Sequence, residues 1–256
     1  MNGALDFCDI RRYLSSRGLG QFLIKHFGLL WWKFTESYET QIVKELVKPA
    51  ATAVDIGANI GYYTLLLADL VGPQGKVFAF EPEPKNFNLL ERNVKKYGYT
   101  NVVCIPKAVN HITEMTQLYV SLDNPGDHRS YKFNNDRFSI PVEGVSMDDY
   151  FSDYPKKIDF IKIDVQGAEE SVLRGMKKLI EDKSKSSGLT MLLEFWPTGL
   201  REYGVDPQEH LQRLAQMGFK LKQLNSSKKR MEPLLDPAQL VDKLGKNYLN
   251  FLCVQP

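Results

Sequence analysis

The segment AVDIGANIGYYTLLLA, residues 53–68, constrains this chain most: an apolar strand, a turn bounded by Gly57 and Gly61, then an apolar helix. Glycine at both positions lets the backbone turn sharply and approach a ligand closely, and the helix that follows offers unpaired N–H groups at its start. Such a turn belongs to α/β folds in which a parallel sheet is wound on both faces. The rest of the chain repeats the theme. From residue 51 onward, short β-branched runs alternate with amphipathic helical patterns. Strands are predicted at Ala53 to Ile56, Val77 to Glu81, Val102 to Pro106, Ile158 to Asp164 and Thr190 to Phe195, with helices starting near Gly61, Pro84, Ala168 and Pro207. In the second helix Phe87, Leu90, Val94 and Tyr97 make one apolar stripe, and Gly98 stops it.

Two stretches break the alternation. Gln117 to Leu122 and Ser139 to Val145 read as strands without a helix between them, an inserted hairpin whose connection, Asp123 to Asp136, is rich in Asn, Asp, Gly and Pro. Near the end, Phe219 to Leu224 and Leu249 to Val254 read as an antiparallel closing pair. No internal repeat appears, so the organisation expected is an N-terminal helical arm over 1–50 and one α/β domain over 51–256.

Composition narrows the class of partner. A net charge of +2 and one short basic run, Lys228 to Arg230, give no electrostatic footprint for nucleic acid. Three cysteines, Cys8, Cys104 and Cys253, lack metal-ligand spacing and read as reduced thiols, consistent with cytoplasm. The longest apolar patch of the arm, Phe27 to Trp32, is far short of a membrane span, and Trp31, Trp32 and Phe34 are expected to pack a lid onto the domain. The oligomeric state is left open, a homodimer included.

The glycine spacing separates candidate ligands. Neither the dinucleotide pattern GxGxxG nor the triphosphate pattern GxxxxGK[ST] is present, since no Lys follows Gly61. Asp55, before the first glycine, would repel a pyrophosphate but accept hydrogen bonds from an ammonium group or through water. Glu81, at the end of the second strand, can accept two bonds from ribose hydroxyls. Together they point to a cofactor that carries an amino acid, S-adenosylmethionine, ahead of NAD.

Three separated segments, VDIGANIGYYTLLLA, FAFEPEPKNFNLLERNV and IKIDVQGAEESVLRGM, with VEGVSMDDYF between the last two, resemble the FkbM-type methyltransferases over roughly Tyr38 to Glu194. The resemblance implies a class I, Rossmann-like fold, a seven-stranded mostly parallel sheet with its last strand antiparallel. It implies that Asp55, Gly57, Asn59 and Gly61 surround the methionine part of the cofactor and that Glu81 holds the ribose. Tyr38 and Glu39 would close the methionyl end, and Pro82, Ala108 and Val109 would flank the adenine. It also implies O-methylation of hydroxyls on sugars, other small molecules or natural products. This chain departs from the family's DVEGAE by Gln166, which removes a charge and keeps hydrogen-bonding reach.

For a hydroxyl acceptor a base is needed near the methyl donor. His128, in the polar loop with Asp127 and Arg129, has the right pKa range. Asp164, ending the fourth strand, is the second catalytic candidate; the alternative is that it caps the following helix. Asp164 and Glu194 are also expected to converge on one rim, where they would serve as ligands for a divalent metal such as Mg. Tyr131, Phe133 and Trp196 are expected either to line an acceptor pocket or to pack the core. His26, His111 and His210 carry no site signal. The rival classes are an NAD-dependent oxidoreductase and a non-catalytic cofactor-binding or interaction protein.

Overall fold

The computed structural model describes residues 37–132, 137–234 and 236–255. In chain order the first half contains α1 (Tyr38–Leu46), β1 (Thr52–Ile56), α2 (Tyr62–Val71), β2 (Lys76–Phe80), α3 (Pro84–Lys96), β3 (Val102–Ile105), β4 (Ala108–Val109), β5 (Met115–Tyr119), β6 (Ser139–Val145) and α4 (Met147–Tyr150). The second half contains β7 (Phe160–Ile163), α5 (Glu169–Arg174), α6 (Lys177–Glu181), α7 (Lys183–Ser186), β8 (Thr190–Phe195), α8 (Pro197–Tyr203), α9 (Pro207–Gln216), β9 (Lys220–Asn225), β10 (Arg230–Pro233), α10 (Pro237–Leu244) and β11 (Leu249–Val254).

The main sheet runs β10-β9-β11-β8-β7-β1-β2-β3. Its centre is parallel from β8 to β3, and β11 lies antiparallel between β8 and β9. Every residue of β1 and β7 is buried, because helices cover both faces. The period of two sorts side chains between two cores. Val54, Ile56, Phe78, Phe80, Ile161 and Ile163 share one, whereas Ala53, Val77, Ala79 and Phe160 share the other. Asp55 and Lys162 are register partners, and by this alternation they fall on the second face, among apolar neighbours.

The doubly wound fold, its strand positions and the antiparallel pairing of β9 with β11 follow the sequence reading. β10 adds an eighth strand at the β9 edge. Its residues RMEP are largely exposed and include a charge and a proline, the traits of a protected sheet edge, so no alternation marks it. The inserted hairpin is present as β5 and β6, joined by β4 into a separate three-stranded sheet. α3 begins on the Glu83 side chain, which accepts from the N–H of Asn86, and ends before Gly98 at φ +75°.

Of the expected arm, α1 packs Ile42 and Val43 into the second core. The expected lid of Trp31, Trp32 and Phe34, together with Cys8 and Phe133, lies outside the described residues. Among the described residues, no helix is long and apolar enough to cross a membrane.

Candidate active site at the carboxyl edge of the sheet

The turn after β1 is held by its neighbours. Gly57 and Ala58 donate their N–H groups to the Phe80 carbonyl at 3.1 and 2.9 Å, which binds the turn to the end of β2. Gly57 (φ +77°) and Gly61 (φ +99°) are left-handed. A Cβ on Gly57 would sit 2.0 Å from the Asp164 carbonyl oxygen, so the turn rests directly on the end of β7. Glu81 accepts from the N–H of Asn59 at 2.7 Å and from that of Glu83 at 2.9 Å. Burial pushes its carboxyl up to about 7, against the pull of those two backbone donors.

A chain of alternating acceptors and donors runs along the same edge. The Thr64 hydroxyl donates to Asp55 at 2.6 Å. Lys162 Nζ stands 3.7 Å from Asp55 and 3.4 Å from Asp164, and donates to the Gly57 carbonyl at 3.1 Å. Gln166 Nε2 donates to Asp164 Oδ1 at 2.7 Å and to Glu194 Oε2 at 3.0 Å. Burial raises the Asp55 pKa, opposed by Lys162. Asp55 Oδ1 is buried without a hydrogen-bond partner, an acceptor that fits the ammonium of an amino-acid-bearing cofactor, while the space beside Gly57 and Gly61 is filled by Asp164 and Leu90.

Asp164 and Glu194 do converge, as expected. Gln166 stands between them, so an ion there would have to displace its amide, and among the described residues no group of three or more His, Cys, Asp or Glu is arranged to hold a metal. Asp164 does not cap the next helix, whose N-cap is Ala168. That N-cap has no side-chain bond; Glu169, fully buried, instead holds the loop before the helix, accepting from the N–H groups of Val165 (3.2 Å) and Gly167 (3.1 Å), and burial pushes its carboxyl up to about 7.

The polar loop after β5 forms a strap across both halves of the edge. The Pro125 carbonyl accepts from Asn59 Nδ2 at 3.0 Å and Asn86 Nδ2 at 2.9 Å, which seats the strap on the glycine turn. At its other end the Tyr131 hydroxyl bonds to the carbonyls of Gln166 at 2.9 Å and Gly199 at 3.3 Å. Arg129, buried, pairs with Asp127 at 2.8 Å and with Glu202, and its guanidinium lies 4.9 Å over the Trp196 ring. His128 Nδ1 accepts from the Ser121 N–H at 3.1 Å, and burial lowers its pKa. In the neutral ring the proton then sits on Nε2, so the lone pair a base would use is committed to the turn.

Ala108 and Val109 form β4 with buried side chains, one packed with Leu118 and Val142 and the other in the main core. Pro82 is half-buried beside Glu81. Tyr38 is half-buried against the second core. Glu39 accepts from the Ser226 hydroxyl and lines a cavity of about 330 Å³ with Asn225, Glu232 and Asn250. The arm reaches the glycine turn through a different pair, Thr40 and Tyr62, at 3.0 Å. Asn250, in that cavity lining, is the register partner of Glu194 on β8. Sequence reasoning missed Lys162, Thr64, Asn86 and Glu169; the available signal was a lysine inside the buried run FIKI.

Residues 55–221 match the sequence profile of the Methyltransferase FkbM domain. Over 143 residues the chain is 27% identical to Methyltransferase 1 of Beauveria bassiana, a match covering 48% of this chain and 57% of that one. Over 154 residues it is 29% identical to 2-O-methyltransferase NoeI of Sinorhizobium fredii, covering 55% and 63%. The chain thus spans less than two thirds of either relative. Among solved structures, a protein of Streptococcus mutans named as a methyltransferase, in complex with SAH, has a TM-score of 0.51 at 13% identity over 85% of this chain and 96% of that one, a likeness of fold.

Proposed function

This chain belongs to the methyltransferase FkbM family, and on that premise we propose that it transfers a methyl group from S-adenosylmethionine to a hydroxyl of a small molecule or glycan. The observation that carries the reading is the carboxyl edge itself. Asp55, the left-handed turn from Gly57 to Gly61, and Glu81 lie together at that edge, a set that suits an amino-acid-bearing nucleoside, with Asp164 against the turn and Glu194 joined to it through Gln166. Such an edge is where open α/β sheets bind ligands. The 2-O-methyltransferase among the relatives supports a hydroxyl acceptor.

Glu81 would hold the ribose hydroxyls, and the turn would surround the methionyl part. The bound cofactor supplies a methyl carbon activated by a sulfonium leaving group. The cavity lined by Glu39, Asn225, Glu232 and Asn250, whose amides and carboxylates suit hydroxyl groups, is the candidate route for the acceptor. Asp164 would take the proton of the acceptor hydroxyl as that oxygen is methylated. The rest of the rate comes from alignment.

Titration calorimetry with S-adenosylmethionine and its demethylated product S-adenosylhomocysteine tests the reading directly: absence of saturable binding of either sinks it. With an acceptor in hand, Asp164→Asn is expected to lower turnover by roughly a hundred-fold or more. His128→Ala is expected to leave turnover within a few-fold and to loosen the strap. A large loss of turnover in the histidine variant alone would return the base to His128. Chelation that abolishes turnover, with recovery on adding Mg²⁺, would restore an ion to the carboxylate pair.

A further inference from the structure

Gln166 is unusual in how completely it is placed. Its Nε2 gives its two protons to carboxylates carried by different strands, Asp164 at 2.7 Å and Glu194 at 3.0 Å. Its backbone is left-handed, φ +54°. The Tyr131 hydroxyl bonds to its carbonyl, and the next residue, Gly167, is wedged so tightly that a Cβ there would lie 2.6 Å from the Tyr131 oxygen and 2.7 Å from the Gly199 carbonyl. Glu169 fixes the N–H groups on either side of it, those of Val165 and Gly167. A non-glycine residue in this conformation stores strain, and strain held by four surrounding contacts marks a position whose side chain must point one way.

Without the amide, the two carboxylates would lose the donor that joins them, and their like charges would repel. Lys162 does not substitute, since its ammonium lies on the far side of Asp164, toward Asp55. The pair stands against the glycine turn, where the Asp164 carbonyl fills the space a Gly57 side chain would need. Negative charge fixed there favours a ligand with positive charge near the turn.

We propose that Gln166 is a positioning residue: it holds Asp164 and Glu194 together beside the turn, and the pair so held makes the site prefer the sulfonium methyl donor over its neutral thioether product. This rests on the methyltransferase reading above. The two ligands differ by one methyl group and one unit of charge, so a fixed carboxylate pair acts on one and hardly on the other. A site built this way captures donor and lets product go.

The test is calorimetric titration of the full chain with S-adenosylmethionine and S-adenosylhomocysteine in parallel, for the unaltered protein, Gln166→Met and Gln166→Gly. Methionine keeps the length without the donor; glycine accepts the left-handed backbone and removes the side chain, which guards against a variant that fails to fold. Both variants are expected to bind the thioether within about two-fold of the unaltered protein and the sulfonium at least roughly five-fold more weakly. The Gln166 amide ¹⁵N resonance, assigned by its loss in the methionine variant, is expected to shift on adding the sulfonium and far less on adding the thioether. Equal weakening of both ligands, or no change in either, overturns the proposal. An unaltered protein that binds neither compound overturns the methyltransferase reading, and the role of Gln166 with it.

Discussion

On Glu81 burial and hydrogen bonding pull in opposite directions. Desolvation raises its carboxyl to about 7, while the N–H groups of Asn59 and Glu83 favour the charged form. Ribose hydroxyls donate to a carboxylate better than to a neutral acid. Affinity for S-adenosylhomocysteine is therefore expected to rise from about pH 6 to about pH 8, as Glu81 ionises. Glu81→Gln should flatten that profile and weaken binding by about ten-fold, because its amide N–H₂ turns one donor toward a backbone donor. A pH-independent affinity in the unaltered protein would remove Glu81 from the ribose site. Asp55 and Glu81 were legible in the sequence because each sits at a fixed offset from a strand end. Lys162 was not, because its partners Asp55 and Asp164 depend on the register of β7 against β1, and register is not written locally.

Elements are tied together by groups of the same kind. α5 and α9 are joined by Glu170, fully buried, which meets His210 Nδ1 at 2.9 Å and the Nε atoms of Arg174 and Arg213 at 3.0 Å. Burial works to raise its pKa, and the hydrogen bond from His210 with the two guanidinium groups outweighs it and holds the carboxyl low. Its folded pKa is depressed, so its contribution is present above the unfolded value of about 4.3 and is lost as pH falls. Glu170→Ala is expected to cost about 3 kcal/mol in urea unfolding, the lower end for a broken buried pair because both arginines reach solvent. A loss under about 1 kcal/mol would mean that the cluster is ornamental. His210 carried no signal because nothing in PQEHLQRLAQ announces a partner on another helix. The central strands were legible as apolar runs, whereas β10, α8 and α10 are short, polar or opened by proline, and tertiary contacts decide them. Of the site, the sequence predicted the polar loop Asp123 to Asp136 and named Tyr131, but not what they touch. Tyr131→Phe would remove its bonds to Gln166 and Gly199 and is expected to speed hydrogen exchange across residues 121–131.

Across the whole molecule the raised carboxyls gather at one place. Glu81 and Glu169 are both pushed up to about 7 and Asp55 is raised, and all three lie at the carboxyl edge, whereas Glu170, whose pKa is lowered, ties helices on another face. An acid raised above its unfolded value contributes stability that is fully present below about 4.3 and is lost as pH rises through the folded value. Stability of the ligand-free protein is therefore expected to fall from about pH 5 to about pH 8, with Glu170 and the other depressed acids setting a decline on the acid side. The site is the source of that loss, since burial raises these carboxyls by more than Lys162 and the backbone donors lower them. On the proposed reading, a cationic ligand with ribose hydroxyls would add positive charge and hydrogen-bond donors there. At a hundred times its dissociation constant it adds about 2.7 kcal/mol, roughly 5 to 10 °C in Tm for a domain of this size. Melting curves at about pH 5.5 and about pH 8, with and without S-adenosylmethionine at one fixed concentration, check the linkage. The ligand-free Tm should drop between them while the increment from the ligand grows. An increment that stays constant while the ligand-free Tm falls would mean that the raised carboxyls do not meet the ligand, and would place its binding away from Glu81 and Asp55.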